Sequence, residues 1–252
     1  MRPEEFERIL NSESYHWWYL GSHDLIVRVA KRLHHGRRLR VLDAGCGTGR
    51  LCQLLAQTSD VTGCDISPTA LALANRRSHV SIEQCDLEAS PVNGSEYDLI
   101  TCIDVIYHEQ IIDPVAALRN LHTRLRPGGR LILHVPASNL LRGAHDQAVR
   151  AKRRFRVEDI RALLRSAGLT PIYVSYRLAI FWLPFLLWRR LTRSQTGSSD
   201  LEVRLPQWLH RLFFLMVSTE NSFLLRGGRL PFGTSIIAIA RRPKEPTSSW
   251  QN

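Results

Sequence analysis

The stretch Leu39-Arg-Val-Leu-Asp-Ala-Gly-Cys-Gly-Thr-Gly49 decides the fold. Leu39–Asp43 reads as a short apolar strand, and Ala44–Gly49 is a glycine-rich turn. Helical spacing follows at Leu51, Leu54 and Leu55. Glycines at the end of a strand let the backbone approach a ligand closely. The helix that follows offers unpaired N–H groups. The spacing is Gly45-x-Gly47-x-Gly49, not the GxGxxG of dinucleotide-binding turns. Asp43 ends the strand two residues before the first glycine, and Asp65 ends the next strand, Val61–Asp65. In a doubly wound sheet both carboxylates fall at the carboxyl edge, where ligands bind. A carboxylate after the second strand suits a ribose diol, because it accepts both hydroxyl hydrogens.

Outward from this turn, short apolar runs alternate with helical patterns. That alternation predicts an α/β fold with a doubly wound sheet of about seven strands. Ser67 and Pro68 open a helix through Arg76. Val80–Cys85 is a third strand. Tyr97–Ile103 is a fourth, apolar enough to be buried on both faces. Asp113-Pro114 starts a helix carrying Val115, Leu118, Leu121 and Leu125, and Gly128-Gly129 is expected to end it. Arg130–Val135 is a fifth strand, and a helix from Val157 to Ala167 stops at Gly168. Strands at Thr170–Arg177 and Thr234–Arg241 complete the sheet. An apolar stretch, Leu178–Gly233, separates those two.

Composition narrows the class. The chain has 252 residues and is 44% apolar, enough for a substantial core, which excludes a disordered chain or a stapled mini-protein. Its 34 basic and 23 acidic residues leave a net charge of +11. Such a surface attracts nucleic acid loosely, or anionic lipid, or an anionic substrate. Five cysteines, an odd number with no CxxC pair, argue against a disulfide scaffold and a zinc site. They point to a reducing, cytoplasmic compartment. Met1-Arg-Pro-Glu-Glu is too charged to begin a secretory signal. The longest uncharged apolar stretch, Leu178–Trp188, would reach only ~16 Å as a helix, about half a bilayer core.

Taken together, these motifs resemble a known family. Val41–Gly49 looks like the cofactor loop of class I S-adenosylmethionine-dependent methyltransferases. The likeness continues through Gly63-Cys-Asp-Ile-Ser67, Tyr97-Asp-Leu-Ile100, Asp104-Val-Ile-Tyr-His108 and Leu125-Arg-Pro-Gly-Gly-Arg-Leu131. The flanks His16-Trp-Trp-Tyr19, Ala144-His-Asp146, Arg153-Arg-Phe155 and Leu230-Pro-Phe-Gly-Thr-Ser235 are similar to a bacterial subgroup whose acceptors are mostly unassigned. That subgroup usually carries arginines shortly after its paired tryptophans, where this chain has Ser22 and His23.

The resemblance implies a Rossmann-like sheet, mostly parallel with an antiparallel last strand, and S-adenosylmethionine as cofactor, and it assigns roles. Asp43, Gly45, Cys46 and Gly47 line its methionine end. Asp65, with Ile66 beside it, takes the ribose hydroxyls. Asp86 and Leu87 sit beside the adenine. Asp104 lies where cofactor and acceptor meet. The segment with Trp18 and Tyr19 folds over the cofactor as a lid, excluding water. For a hydroxyl acceptor a base removes the proton. His108 is the first candidate and His145, next to Asp146, the second. The implied organisation is one domain over 1–242. It comprises an N-terminal lid and helix (1–37), a cofactor-binding core (38–177), an insertion or cap (178–233) and the last strand (234–242). A flexible tail (243–252) follows.

Three readings stay open for the insertion: helices that extend the core, a cap over a greasy acceptor pocket, and a patch lying in a membrane surface. The leading function is O-methylation of a small, hydrophobic or lipid-linked acceptor, with peripheral contact to the inner face of a membrane through residues 178–217. A non-catalytic cofactor-binding module is the alternative. A nucleic-acid methyltransferase is less favoured, because Asp104-Val-Ile-Tyr107 is not an Asp/Asn-Pro-Pro-aromatic run. A nicotinamide oxidoreductase is disfavoured by the glycine spacing and by the lack of a lysine four residues after Tyr107 or Tyr173.

Overall fold

The computed structural model describes residues 3–34, 36–77, 79–89, 96–139, 150–191 and 205–244. The strands are β1 (Leu39–Ala44), β2 (Ser59–Asp65), β3 (Ser81–Gln84), β4 (Tyr97–Ile103), β5 (Leu125–Pro136), β6 (Thr170–Arg177) and β7 (Ser235–Arg241). They form one sheet in the order β3-β2-β1-β4-β5-β7-β6. Strands β1 to β5 run parallel, and β7 lies antiparallel between β5 and β6. The strand order reverses where β1 meets both β2 and β4. In such sheets the crevice at that reversal, beyond the carboxyl ends, is where ligands bind.

Helices cover both faces. They are α1 (Pro3–Ser12), α2 (Trp17–Leu33), α3 (Arg50–Leu55), α4 (Pro68–Arg77), α5 (Pro114–Arg124), α6 (Val157–Ser166), α7 (Trp182–Leu191) and α8 (Gln207–Leu225). Successive strand residues feed opposite layers, as the pleat requires. Leu42, Ile100 and Leu131 pack with Leu118, Leu121 and Ile160 on one face. Val41, Leu99 and Ile132 pack with Ile26, Leu51 and Leu224 on the other. All five cysteines are buried and free, and act as small core side chains. No helix among the described residues is long and apolar enough to cross a membrane.

One local expectation is corrected. Helix α5 ends at Arg124, not at Gly128-Gly129. Pro127 forces Arg126 out of the helical region, and Leu125 is already extended (ψ 137°) and pairs with Tyr97. Gly128 (φ +81°) and Gly129 instead lie within β5, at the irregularity between its Leu125–Tyr97 and Arg130–Leu99 pairings. A Cβ on Gly129 would lie 2.9 Å from the carbonyl oxygens of Arg126 and Tyr97. Trp17-Trp-Tyr19 lie within the expected N-terminal lid and helix. These residues form the first turn of α2, capped by His16 Nδ1, which accepts from the Trp18 N–H at 3.3 Å.

The long insertion does not part the last two strands, which pair along Thr170–Arg177 and Ser235–Arg241. The chain leaves β6 at Leu178 (φ +60°), makes a single 3₁₀ turn over Ala179–Phe181, and runs into α7. Helix α8 then returns along α2. Asn221 Nδ2 donates to the Gly21 carbonyl at 2.8 Å, and Arg28 donates to Ser222 Oγ at 3.0 Å. Gly233 threads the chain back beneath β6, where an added Cβ would sit 2.2 Å from the Arg177 carbonyl oxygen. Gly233→Ala is therefore expected to destabilise the protein by about 1–3 kcal/mol, the usual cost of overpacking against an unyielding neighbour. Thermal unfolding measures it, and an unshifted midpoint would mean that the return segment is not clamped there.

Candidate active site

A single cavity of about 890 Å³ opens at the carboxyl edge of the sheet. At one end lies the glycine turn. The N–H groups of Gly45 and Cys46 both donate to the Cys64 carbonyl (2.8 and 2.9 Å), which curls the turn against β2. Gly47 takes φ +54° and a Cβ there would meet nothing within 4 Å, so its backbone faces open space. Gly45 serves packing instead, since a Cβ would collide with Val105 at 2.2 Å. Asp65 is held by two backbone donors, Gly47 N–H at 3.0 Å and Ser67 N–H at 2.9 Å. Burial pushes its carboxyl upward while those bonds pull the other way. Asp43 is 3% exposed and accepts from the Thr101 hydroxyl at 2.6 Å and from Cys52 Sγ at 3.4 Å. Burial still lifts it from the usual 3.8 to about 6, with Asp65 adding to the shift. Cys46, Ile66, Asp86 and Leu87 complete this end. Asp86 also closes its own turn, accepting from the Glu88 N–H at 2.9 Å.

The N-terminal segment expected as a lid (1–37) reaches the cavity with more than its aromatic trio. Helix α1 and the turn after it contribute Glu5, Phe6, Ile9 and Glu13 to the cavity wall. Glu13, 2% exposed, accepts from the Thr48 hydroxyl at 2.7 Å and pairs with Arg77 of α4. This latch joins the lid directly to the glycine turn. Nothing in Asn11-Ser-Glu-Ser14 announces it, because a carboxylate among serines has no distinguishing spacing. All three of the aromatic trio, Trp17, Trp18 and Tyr19, line the cavity. Trp17 also turns into an aromatic cluster, its ring 4.4 Å from Phe181 and 5.7 Å from Phe213. Burial raises the Tyr19 phenol above its ordinary range, and the Asp104 and Glu5 carboxylates add to that.

Asp104 stands at the end of β4, in the middle of the strand order. It has the left-handed backbone (φ +56°) that non-glycine residues rarely adopt. Both carboxylate oxygens lie 3.1 Å from His134 Nδ1, and its N–H donates to the His134 carbonyl at 3.0 Å. His134 Nε2 lies 3.3 Å from Arg177 Nη1. Arginine only donates, so Nε2 accepts and the imidazole proton sits on Nδ1, facing Asp104. Arg177 is fully buried and also donates to Ser22 Oγ at 2.9 Å and to Asn221 Oδ1 at 3.4 Å. Burial lowers it to about 10, opposed by Glu220, Asp104 and Asp24, so it stays charged at neutral pH. The sequence reading missed His134 and Arg177. Both sit inside strands, and only long-range packing brings them together.

The other expected residues are placed as follows. His108 lines the cavity with its ring stacked on Tyr107, centroids 4.3 Å apart. His145 and Asp146 lie outside the described residues. Ser22 faces Arg177, and His23 lines the cavity. Burial and the charges of Arg50 and Arg177 lower His23 to about 4, so it is neutral. From the insertion, Phe181, Pro184, Phe185, Leu205 and Phe213 form an apolar wall of the same cavity. The inner face of the insertion thus extends the core and walls the cavity at once.

A profile for a methyltransferase domain matches residues 19–174. The chain belongs to this methyltransferase family. Its fold is that of the class I S-adenosylmethionine-dependent enzymes. An uncharacterized protein of Synechococcus is 33% identical over 132 residues, covering 48% of this chain and 30% of that protein. Ubiquinone biosynthesis O-methyltransferase of Bordetella avium is 34% identical over 97 residues, 36% of this chain and 39% of its own length. The Pseudomonas aeruginosa enzyme of that name is 29% identical over 174 residues, 56% of this chain and 72% of its own length. The chain thus spans well under half of the first two relatives. Among solved structures, the Haloferax volcanii methyltransferase complexed with the Trm112 activator superposes with TM-score 0.62 at 18% identity, covering 96% of both chains. Magnesium protoporphyrin IX methyltransferase from Synechocystis with bound SAH gives TM-score 0.55 at 21% identity, covering 89% of this chain and 83% of that one.

The raised carboxyl of Asp43 has a measurable consequence for this protein. A carboxyl that titrates near 6 when folded and near 3.8 when unfolded burdens the fold whenever it is charged. In the ligand-free protein that burden is full above pH 6 and is relieved as pH falls toward 4, about 3 kcal/mol in all. Asp43→Asn should raise stability at pH 7 and flatten this slope in denaturant unfolding. A slope that persists in the variant would mean that another group carries it.

Proposed function

We propose that the protein is a methyltransferase that uses S-adenosylmethionine to O-methylate a small hydrophobic acceptor. One observation carries the reading. A single cavity joins a glycine turn flanked by Asp43 and Asp65 to an aromatic wall of Trp18, Phe181 and Phe213, with Asp104 at the strand between them. The names of the ubiquinone biosynthesis relatives add support for oxygen as the attacked atom.

The residues fit the cofactor. Three buried atoms on residues of the cavity wall make no hydrogen bond within the protein: Glu5 Oε2, Arg50 Nε and His23 Nδ1. The Glu5 oxygen accepts and the Arg50 nitrogen donates, which suits the ammonium and carboxylate of an amino-acid end. Asp65 suits a ribose diol, and Leu87 offers an apolar surface to a base. When bound, the cofactor supplies an electrophilic methyl group on a sulfonium, so the protein's task is to position an acceptor and take its proton. Asp104 is the group we assign to that proton. His134 holds both its oxygens, and Arg177 keeps the imidazole in the tautomer that donates to them. His108 lies on the same wall, where its stack on Tyr107 makes it an orienting surface for an aromatic acceptor. The lid and the aromatic wall exclude water, which strengthens the electrostatics of the transfer.

Calorimetric titration with S-adenosylmethionine tests the first half. Asp65→Ala should weaken binding by about 1.5–3 kcal/mol, the usual loss when hydrogen bonds to a charged group are removed. Equal affinity in a folded variant would overturn the ribose assignment. A screen of phenols bearing alkyl tails tests the second half. With any that react, Asp104→Asn should lower turnover about 10²–10⁴-fold at unchanged cofactor affinity. Wild-type turnover in that variant would remove Asp104 as the base and return His108 to first place.

A further inference from the structure

The helices that wall the cavity are apolar on their other side as well. Of the twelve large hydrophobic side chains exposed among the described residues, eight lie between residues 178 and 233. They are not scattered. On α8, Trp208, Leu212, Leu215 and Phe223 recur at steps of three, four and eight residues, which keeps them on one face. Trp208 and Leu215 are 66% and 62% exposed. The opposite face of α8 carries Val217, Asn221 and Leu224, which are buried against α2 and the core. On α7, Leu183 and Leu187 point outward while Phe185 lines the cavity. Scattered exposed leucines need no explanation, but a two-sided apolar helix does.

Charge selects the partner. Helices α7 and α8 contain one carboxylate, Glu220. It is spent inward, accepting from the backbone N–H groups of Leu178 and Ala179. Against it stand Arg211 of α8 and Arg226 just past its end. Arg211 and Arg226 fall three residues after Trp208 and Phe223, beside the apolar stripe, and both are exposed. An apolar face with a tryptophan and bordering arginines, and no facing carboxylate, matches the boundary between acyl chains and anionic headgroups. A second copy of the chain would bring arginine against arginine around the same stripe.

We infer that the outer face of α7 and α8 docks on an anionic lipid surface, so that the cavity behind these helices takes a lipophilic acceptor from the bilayer. The acceptor clause rests on the function proposed above; the docking itself does not. Full-length protein is sedimented with vesicles of phosphatidylcholine alone and of phosphatidylcholine mixed with phosphatidylglycerol. Binding to the mixed vesicles is expected, weakening as salt is raised. Trp208→Ser and Leu215→Ser lie outside the cavity wall and should keep S-adenosylmethionine affinity. Each should lower vesicle partition about tenfold. Arg211→Gln and Arg226→Gln should each remove about fivefold, on the anionic vesicles only. Failure of the wild type to pellet with either vesicle at low salt overturns the docking, as does unchanged partition in the serine variants. A concentration-dependent dimer that Leu215→Ser dissociates would also overturn it, and would assign the face to a second copy. Vesicle binding without cofactor binding would leave the docking standing and sink the proposed function instead.

Discussion

A guanidinium with no access to water sits at the end of β6, and much of the site is arranged around it. Arg177 cannot shed its charge near neutral pH, and a buried charge is tolerated only where hydrogen bonds replace the lost water. The replacements come from distant parts of the chain: Ser22 on α2, His134 on β5 and Asn221 on α8. Each is thereby fixed against the sheet. The long insertion returns along α2 because Asn221 must reach both Arg177 and the Gly21 carbonyl. The imidazole that accepts from Arg177 turns its proton on Asp104, and the unfavourable backbone of Asp104 is held by that pull and by its N–H bond to His134. One buried cation thus couples the lid helix, the insertion and the strand end where chemistry is proposed.

How much of this could be read from the residues depended on how local each signal was. The glycine turn was legible because its geometry is written in consecutive residues: positive φ at Gly45, Gly47 and Gly49 needs glycines at those positions and no others nearby. The seven strands were legible for a similar reason, since buried parallel strands are short continuous apolar runs. Asp113-Pro114 declared a helix start, and Asp113 does cap α5. The end of that helix was misread because two glycines look like a stop, whereas Pro127 had already ended it upstream.

What stayed hidden was long-range. Glu13 is 35 residues from Thr48 and 64 from Arg77. His134 and Arg177 are ordinary residues in strand sequences, and no spacing relates them to Asp104. Trp17-Trp-Tyr19 carried no periodic signal because the three side chains have different surroundings: a packed aromatic cluster for Trp17, His134 beside Trp18, and the carboxylates of Asp104 and Glu5 near Tyr19. The insertion was ambiguous because both sides of its helices are apolar, and a pattern that is hydrophobic all round names no face. The departure at Ser22 became intelligible only with Arg177 beside it, where an arginine would have met another arginine.

The latch at Glu13 and the aromatic wall close the two ends of the cavity by unrelated means. One is an ion pair with a hydroxyl bond, tied to the turn and to α4. The other is packed apolar surface. They are nonetheless strung on one short stretch of chain, because the segment that carries Glu13 sends Trp17, four residues on, into the cluster with Phe181 and Phe213. A displacement that frees the polar end therefore pulls on the apolar one, and the cavity opens as a unit rather than at one end alone.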